Sequence, residues 1–179
     1  MTITMGNILP MVTGGLFYPA STNQPIFTAD GLLEVSPAVL LKEYITVITL
    51  LQTPSGSAVW PCYIGSMPDG VHIEDDCACV YDTSGMMDGR LQDNGLVIQH
   101  YGVQLKIRSK DYQDGWAKID LIAGSLDAVS KYDISVSGDD YRIHNVSRTT
   151  PIVPLGTEEG MKRRWLFTAN FLVTISQIV

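Results

Sequence analysis

The sequence predicts an α+β domain in which two helices pack on a mostly antiparallel or mixed sheet, with an extended arm at the N-terminus. Apolar residues alternate along several stretches, which indicates strands, and recur every three to four residues along two others, which indicates helices. Short connections between the strand-like stretches favour antiparallel neighbours. The 179 residues suffice for one domain with its own core. We expect an arm at residues 1–30 and a single domain at residues 31–179.

The first 29 residues contain no charged side chain and three prolines. Prolines forbid a long helix, yet the segment is too apolar for a solvated disordered tail. We therefore expect an arm that docks through residues such as Phe17 and Tyr18, either on its own domain or on a neighbouring subunit.

Capping residues mark the start of both helices. Ser36 followed by Pro37 is typical of a helix N-terminus, and the turn-forming residues 53–56 are expected to end this first helix. Asp111 is a good cap for the second helix. The second helix carries one core-facing stripe, formed by Trp116, Ile119, Ile122, Ala123, Leu126 and Val129.

Five strands are predicted, with the last as the main anchor of the fold. They cover residues 77–82, 95–108, 132–136, 141–147 and 162–176, and a short apolar piece lies around Tyr63 and Ile64. A glycine-rich polar loop is expected at 83–95, a hairpin turn at 137–140, and a proline-bearing connection at 149–160. In the last strand one face is apolar, and burial of each large side chain contributes roughly 1.5–3 kcal/mol.

The chain has few charged residues, and they are unevenly distributed. Only 17% are charged, which fits either a strand-rich protein or a surface covered by partners. The net charge of −7 argues against sequence-specific nucleic-acid binding. Seven acidic residues and one basic residue lie between residues 69 and 93. This region is either a solvated loop or a surface that meets a basic partner or lines a channel. The basic cluster is Lys162, Arg163 and Arg164.

Residues suited to catalysis or metal binding are scattered. Cys62, Cys77 and Cys79 are expected to be reduced thiols that pack as small hydrophobes, because a zinc site would need further ligands such as His72 or His100. No nucleophile motif is present. The sequence predicts neither an enzyme nor a cofactor. It also predicts no membrane segment and no signal peptide, because an apolar run of about 18–20 residues and a basic N-terminus are both missing.

Several motifs, in their order along residues 31–176, resemble the tail terminator and minor capsid proteins of tailed bacteriophages. They are "YIGSMPDG", "CVYDTSG", "VQLKIR" before a helix, and the closing "WLFTANFLVTI". The matching residues are Tyr63, Gly65, Met67, Pro68, Asp69, Tyr81, Asp82, Gly85, Val103, Gln104, Leu105, Ile107, Arg108, Tyr112, Ala117, Asn170, Phe171 and Val173.

The resemblance implies a structural virion protein that is assembled in the host cytoplasm. Its copies would form a ring, expected to be a hexamer, at the head-proximal end of the tail tube. The ring would end tube polymerisation and bind the tube protein and a head-completion or stopper protein, while DNA passes through its lumen without specific binding. Another neck, connector or tail-tube subunit is the first alternative. A metal-dependent enzyme or small-molecule binder is the second.

Separated acidic and basic patches would let copies pair head to tail and close into a ring. The interface candidates are Asp88, Arg90, Asp93, Lys162, Arg163, Arg164, Phe17 and Tyr18. Charge reversal at Asp88, Arg90 or Arg164 is expected to impair head–tail joining and to leave the fold intact.

Overall fold

The computed structural model describes residues 33–56, 58–69, 75–90, 97–158 and 163–178. The arm at residues 1–30, with Phe17 and Tyr18, lies outside the described residues. The elements, in chain order, are α1 (Pro37–Val47), β1 (Cys62–Ile64), β2 (Cys77–Arg90), β3 (Val97–Ser109), α2 (Tyr112–Asp127), β4 (Ser130–Val136), β5 (Asp139–Arg148), β6 (Val153–Thr157) and β7 (Trp165–Ile178).

The described strands form one mixed sheet. Its order is β1-β2-β3-β7-β5-β4, and β6 also pairs with β7. The β1–β2 pair is parallel, whereas the other neighbours are antiparallel. Two helices pack on this curled sheet, so the predicted α+β class is confirmed.

Strand β7 lies at the centre of the sheet. It pairs with β3 along one edge and with β5 and β6 along the other. The predicted apolar face is buried, including Phe167, Ala169, Phe171 and Val173. Large aromatic residues of this kind each cost about 3–5 kcal/mol when truncated to alanine, so this face stabilises the fold strongly.

Both predicted helix caps are present. The Ser36 side chain accepts a hydrogen bond from the Val39 amide, with Pro37 in the first turn. Asp111 accepts from the amides of Gln113 and Asp114, at 2.7 and 3.1 Å. Helix α1 ends at Val47, earlier than its apolar pattern indicates.

The core-facing stripe of α2 is confirmed except at its first member. Ile119, Ile122, Ala123 and Leu126 are fully buried, whereas Trp116 is 37% exposed. The Trp116 ring lies over the edge of the core and stacks on Tyr112, with ring centroids 6.5 Å apart. Large rings at a helix end can bury one face and leave the other in water.

Two loop predictions are wrong in part. The expected loop at 83–95 is a strand as far as Arg90, and the proline-bearing connection contains strand β6. The far half of β2 was not predicted as a strand, because its glycines weaken the alternating pattern. Strand β6 was not predicted because it contains Pro154, although proline is tolerated in edge strands. The predicted β4–β5 turn is confirmed: Ser137 and Gly138 adopt φ of 58° and 96°, as a two-residue hairpin turn requires.

Among the described residues, no helix has the length and apolar character that a membrane span needs.

Two glycines of α2 should respond to alanine in opposite directions. A Cβ at Gly115 would lie 2.5 Å from Phe167 Cε2 and 2.8 Å from Ser109 Cβ. Phe167 is fully buried and cannot move aside, so Gly115→Ala should lower the free energy of unfolding by about 1–3 kcal/mol. A Cβ at Gly124 meets nothing within 4 Å, so Gly124→Ala should raise it by about 0.5–1 kcal/mol.

Urea denaturation of both variants measures the two changes. Stabilisation of the protein by both substitutions would show that Gly115 is not held against β7 as described.

Candidate assembly surface

Residues of the resemblance motifs that are far apart in sequence meet in the fold. Arg108 of β3 is fully buried, and its Nη1 donates to the Pro68 carbonyl at 2.9 Å. The same nitrogen lies 3.6 Å from Glu158 Oε1. Gln104 Nε2 donates to Asn170 Oδ1 across the β3–β7 pair at 3.0 Å. These motif residues therefore join separate parts of the chain.

Arg164 binds the same carboxylate as Arg108, that of Glu158, and two further acidic residues. Its Nε donates to Glu158 Oε2 at 2.6 Å, its Nη2 donates to Asp69 Oδ1 at 3.0 Å, and Nη1 lies 3.8 Å from Asp75. Burial alone would lower the pKa of Arg164, but its hydrogen bond to Asp69 and the charge of Glu158 outweigh burial and raise it. We call Arg108, Arg164, Asp69, Asp75 and Glu158 the arginine cluster.

The arginine cluster takes one member of the predicted basic cluster, Arg164, into the domain. Arg163 is exposed, but Arg164 is only 5% exposed and its charge is satisfied within the chain. Lys162 lies outside the described residues. Charge reversal at Arg164 would place a carboxylate among Asp69, Asp75 and Glu158, so it would damage the fold. Of the two adjacent arginines just before β7, Arg163 is therefore exposed and Arg164 is buried.

Acidic residues of the 69–93 region are also used inside the domain. Asp76 Oδ1 accepts from Ser109 Oγ at 2.7 Å and from the Lys110 amide at 2.9 Å. Asp82 Oδ1 accepts from the Ala38 amide at 2.9 Å, which satisfies a free N–H at the start of α1. With Asp69 and Asp75, four of the seven acids thus have described structural contacts. Sequence reasoning missed these contacts, because only the fold brings the partners together.

Strands β2 and β3 extend as a two-stranded hairpin past the end of their pairing with other strands. On the β7 side, the register of β3 begins at the pair His100–Thr174. On the β1 side, pairing with β2 stops at Val80. Beyond those points the described residues of β2 and β3 pair only with each other, as far as Arg90 and Val97. We call residues 84–90 and 97–99 the β2–β3 hairpin.

The base of this hairpin is shaped by two glycines and anchored by a histidine. A Cβ at Gly85 would lie 2.1 Å from the His100 carbonyl oxygen, and one at Gly102 would lie 2.2 Å from that of Ser84. Both positions therefore need glycine, next to the register shift between Thr83 and Met86. His100 Nδ1 lies 2.6 Å from Thr174 Oγ1 and links the base to β7.

Predicted interface residues occupy the far end of the hairpin. Asp88 and Arg90 belong to the last part of β2, and Asp93 lies outside the described residues. Met86, nearer the base, is 55% exposed. Asp88 and Arg90 thus both belong to the β2–β3 hairpin, whereas Arg163 lies outside it.

The three thiols do not converge on one site. Cys62 pairs with Ala78 on the helix-covered face, whereas Cys77 and Cys79 alternate with Ala78 and so face the opposite side of the sheet. Burial raises the pKa of Cys62 to about 12 and that of Cys77 to about 11. Both thiols thus stay protonated at neutral pH and are poor nucleophiles. No group of described residues has the composition of a metal site.

Comparison with known proteins identifies the family. The model of the family described as bacteriophage tail terminator protein matches residues 41–177. This chain belongs to the bacteriophage tail terminator family. It is therefore a structural component of the phage tail, and the resemblance read from the motifs is confirmed.

Other comparisons add little to the tail terminator assignment. No curated protein matches the chain. One solved structure, which carries no descriptive name, shares 13% identity with it, covering 78% of this chain and 89% of its own, with a TM-score of 0.38.

Two adjacent arginines of this tail terminator protein offer a matched test of the arginine cluster. Arg164→Gln should lower the free energy of unfolding by about 1–3 kcal/mol, because it removes the buried guanidinium that hydrogen-bonds the partly buried Glu158 and the exposed Asp69. This range is below the cost for a fully buried pair, since the Asp69 side chain is 84% exposed. Arg163→Gln, at an exposed position, should change it by less than about 0.5 kcal/mol.

Thermal and urea unfolding of the two variants give the comparison. Equal stability of both variants would contradict the structural role assigned to Arg164.

Proposed function

We propose that this protein forms a ring of copies, expected to be a hexamer, at the head-proximal end of the tail tube. There it ends tube polymerisation and joins the tail to head-completion or stopper proteins. Family membership supports the tail role, and the projecting β2–β3 hairpin carries the more specific proposal. The division into an arm at 1–30 and a working domain at 31–179 is part of it.

The β2–β3 hairpin needs apolar burial beyond its own two strands to be stable. An isolated two-stranded ribbon is at best marginally stable in water, yet β2 and β3 continue past their last described neighbours on the sheet. Additional burial must come from outside the domain's own sheet for the ribbon to be held firmly. A neighbouring ring subunit or an adjacent ring of the tail supplies that burial, with Asp88, Arg90 and Asp93 near the contact. Lys162 and Arg163 lie at a second contact.

Charge supports the proposed passage of DNA through the ring, and thiol chemistry supports the proposed place of assembly. A net charge of −7 supports a lumen that repels DNA and lets it pass without specific binding. Three free, buried cysteines suit a reducing compartment, which supports assembly in the host cytoplasm before incorporation into the virion.

Substitution on the hairpin tests the proposal. Met86→Lys should reduce head–tail joining by about tenfold or more, because about 1.4 kcal/mol of lost contact energy suffices for that factor. Val47→Lys is the control, since Val47 is 52% exposed and ends α1, whereas this helix bonds to β2 at its start, through the Ala38 amide and Asp82. Electron microscopy of particles assembled with each variant counts joined particles and measures tube lengths.

Met86→Lys should also produce overlong tubes, whereas the control should yield normal particles. Native mass spectrometry should find multiples of six subunits with the tube protein present. Normal joining by Met86→Lys, or a strict monomer even in particles, would contradict the proposal. Repeated rings along the tube would instead indicate a tail-tube subunit.

A further inference from the structure

Exposed apolar side chains lie on α2 and on the segment that precedes β1, and the contact of Lys118 with Trp60 joins the two elements. Val59 is 69% exposed and Leu121 is 54% exposed. The Lys118 ammonium lies 5.4 Å from the centroid of the half-buried Trp60 ring, which joins the two elements. Leu121 follows Lys118 by three residues and so shares its side of the helix. We call Val59, Trp60, Lys118 and Leu121 the α2 patch.

Small residues beside Leu121 leave the helix backbone open to approach. Ala117 and Gly124 are exposed, and a Cβ at Gly124 would meet nothing within 4 Å. Both residues are small, so a segment has room to lie close against α2 around Leu121.

The chemistry of the patch restricts what can cover it. Burial lowers the pKa of Lys118, and no carboxylate lies among the four patch residues. A covering segment should therefore bring apolar side chains and hydrogen-bond acceptors, but no positive charge. Extended backbone offers carbonyl acceptors of this kind.

The N-terminal arm matches these requirements. Its first 29 residues carry no charge and include the apolar pair Ile26 and Phe27 directly after Pro25. Pro25 disfavours a helix that runs through this stretch. The described chain begins at Leu33, four residues before α1, so the arm leaves the domain at the N-terminal end of that helix.

The distance from this point to the patch selects which part of the arm reaches it. Helix α1 has 11 residues and is about 16 Å long. The Leu50 amide bonds back to Ile45, and the Gln52 amide bonds to Trp60, so the patch lies near the C-terminal end of α1. A path of about 16–30 Å takes about five to nine extended residues.

We propose that Ile26 and Phe27 of the arm cover the α2 patch of their own chain. They lie six to seven residues before Leu33, within the required length. A tether of this size holds the segment at high effective concentration beside the patch, which favours the same chain over a neighbouring copy. The inference is independent of the ring and of the β2–β3 hairpin.

Proteolysis of the full-length protein tests the contact. Chymotrypsin cleaves after phenylalanine, and covering should protect Phe27. Leu121→Asp should speed cleavage at Phe27 by about tenfold or more, because cleavage follows the population of the open form. Val153→Asp is the control, since Val153 is an exposed apolar residue on β6 and should leave the rate unchanged. Equal rates in wild type and Leu121→Asp would overturn the proposal.

A crosslink decides which chain supplies the arm and does not depend on tolerance of aspartate at position 121. Phe27→Cys combined with Leu121→Cys should form a disulfide within one chain under mild oxidation. The native thiols should not interfere, because all three are buried. The within-chain product should persist on dilution over two orders of magnitude. The proposal would be overturned if no crosslink formed. It would also be overturned if the only crosslink joined two chains and disappeared on dilution, and the patch would then belong to a neighbour's arm.

Discussion

Strand β7 is the constraint on which the other described elements depend. It pairs along both edges, with β3 on one side and with β5 and β6 on the other. Helix α2 packs on its buried face, where Phe167 touches Tyr112 and Trp116. Central strands of this kind hold their neighbours in a fixed register, because a shift by one residue would expose the apolar face. Strand β3, which continues past its pairing with β7 into the β2–β3 hairpin, is therefore held rigidly where it pairs with β7.

The arginine cluster holds several loop segments against β3 and the start of β7. Arg108 comes from β3, Arg164 precedes β7, and their partners come from the segments around Asp69, Asp75 and Glu158. Buried ion pairs often add little net stability, but loss of one partner is costly. The cluster thus sets how these segments sit against the sheet. Arg108 and Asp69, two residues of the resemblance motifs, thus help to maintain this architecture.

Much of the fold was predictable because it rests on local patterns. Ser36 and Asp111 mark their helices through their own side chains, and the alternation of β7 identifies its buried face. Arg164 was not predictable in this way, because a run of three basic residues does not show which member points inward. Strand β6 and the far half of β2 contain Pro154 and Gly85, whose roles depend on an edge position and on close contact with β3. The partners of Asp76 and Asp82 likewise become visible only when distant segments meet.

A tail terminator of this design would act through shape: a rigid sheet holds a hairpin whose stabilisation is completed by other subunits. Amide hydrogen exchange, compared between the isolated protein and assembled tails, tests that claim most directly. In the isolated protein the amides of β7 from Phe167 to Val173 should exchange slowest and those of the β2–β3 hairpin much faster. In tails the hairpin amides should slow by about tenfold or more, which corresponds to about 1.4 kcal/mol of added stability. Hairpin amides that are as slow as β7 in the isolated protein, or unchanged in tails, would contradict the account.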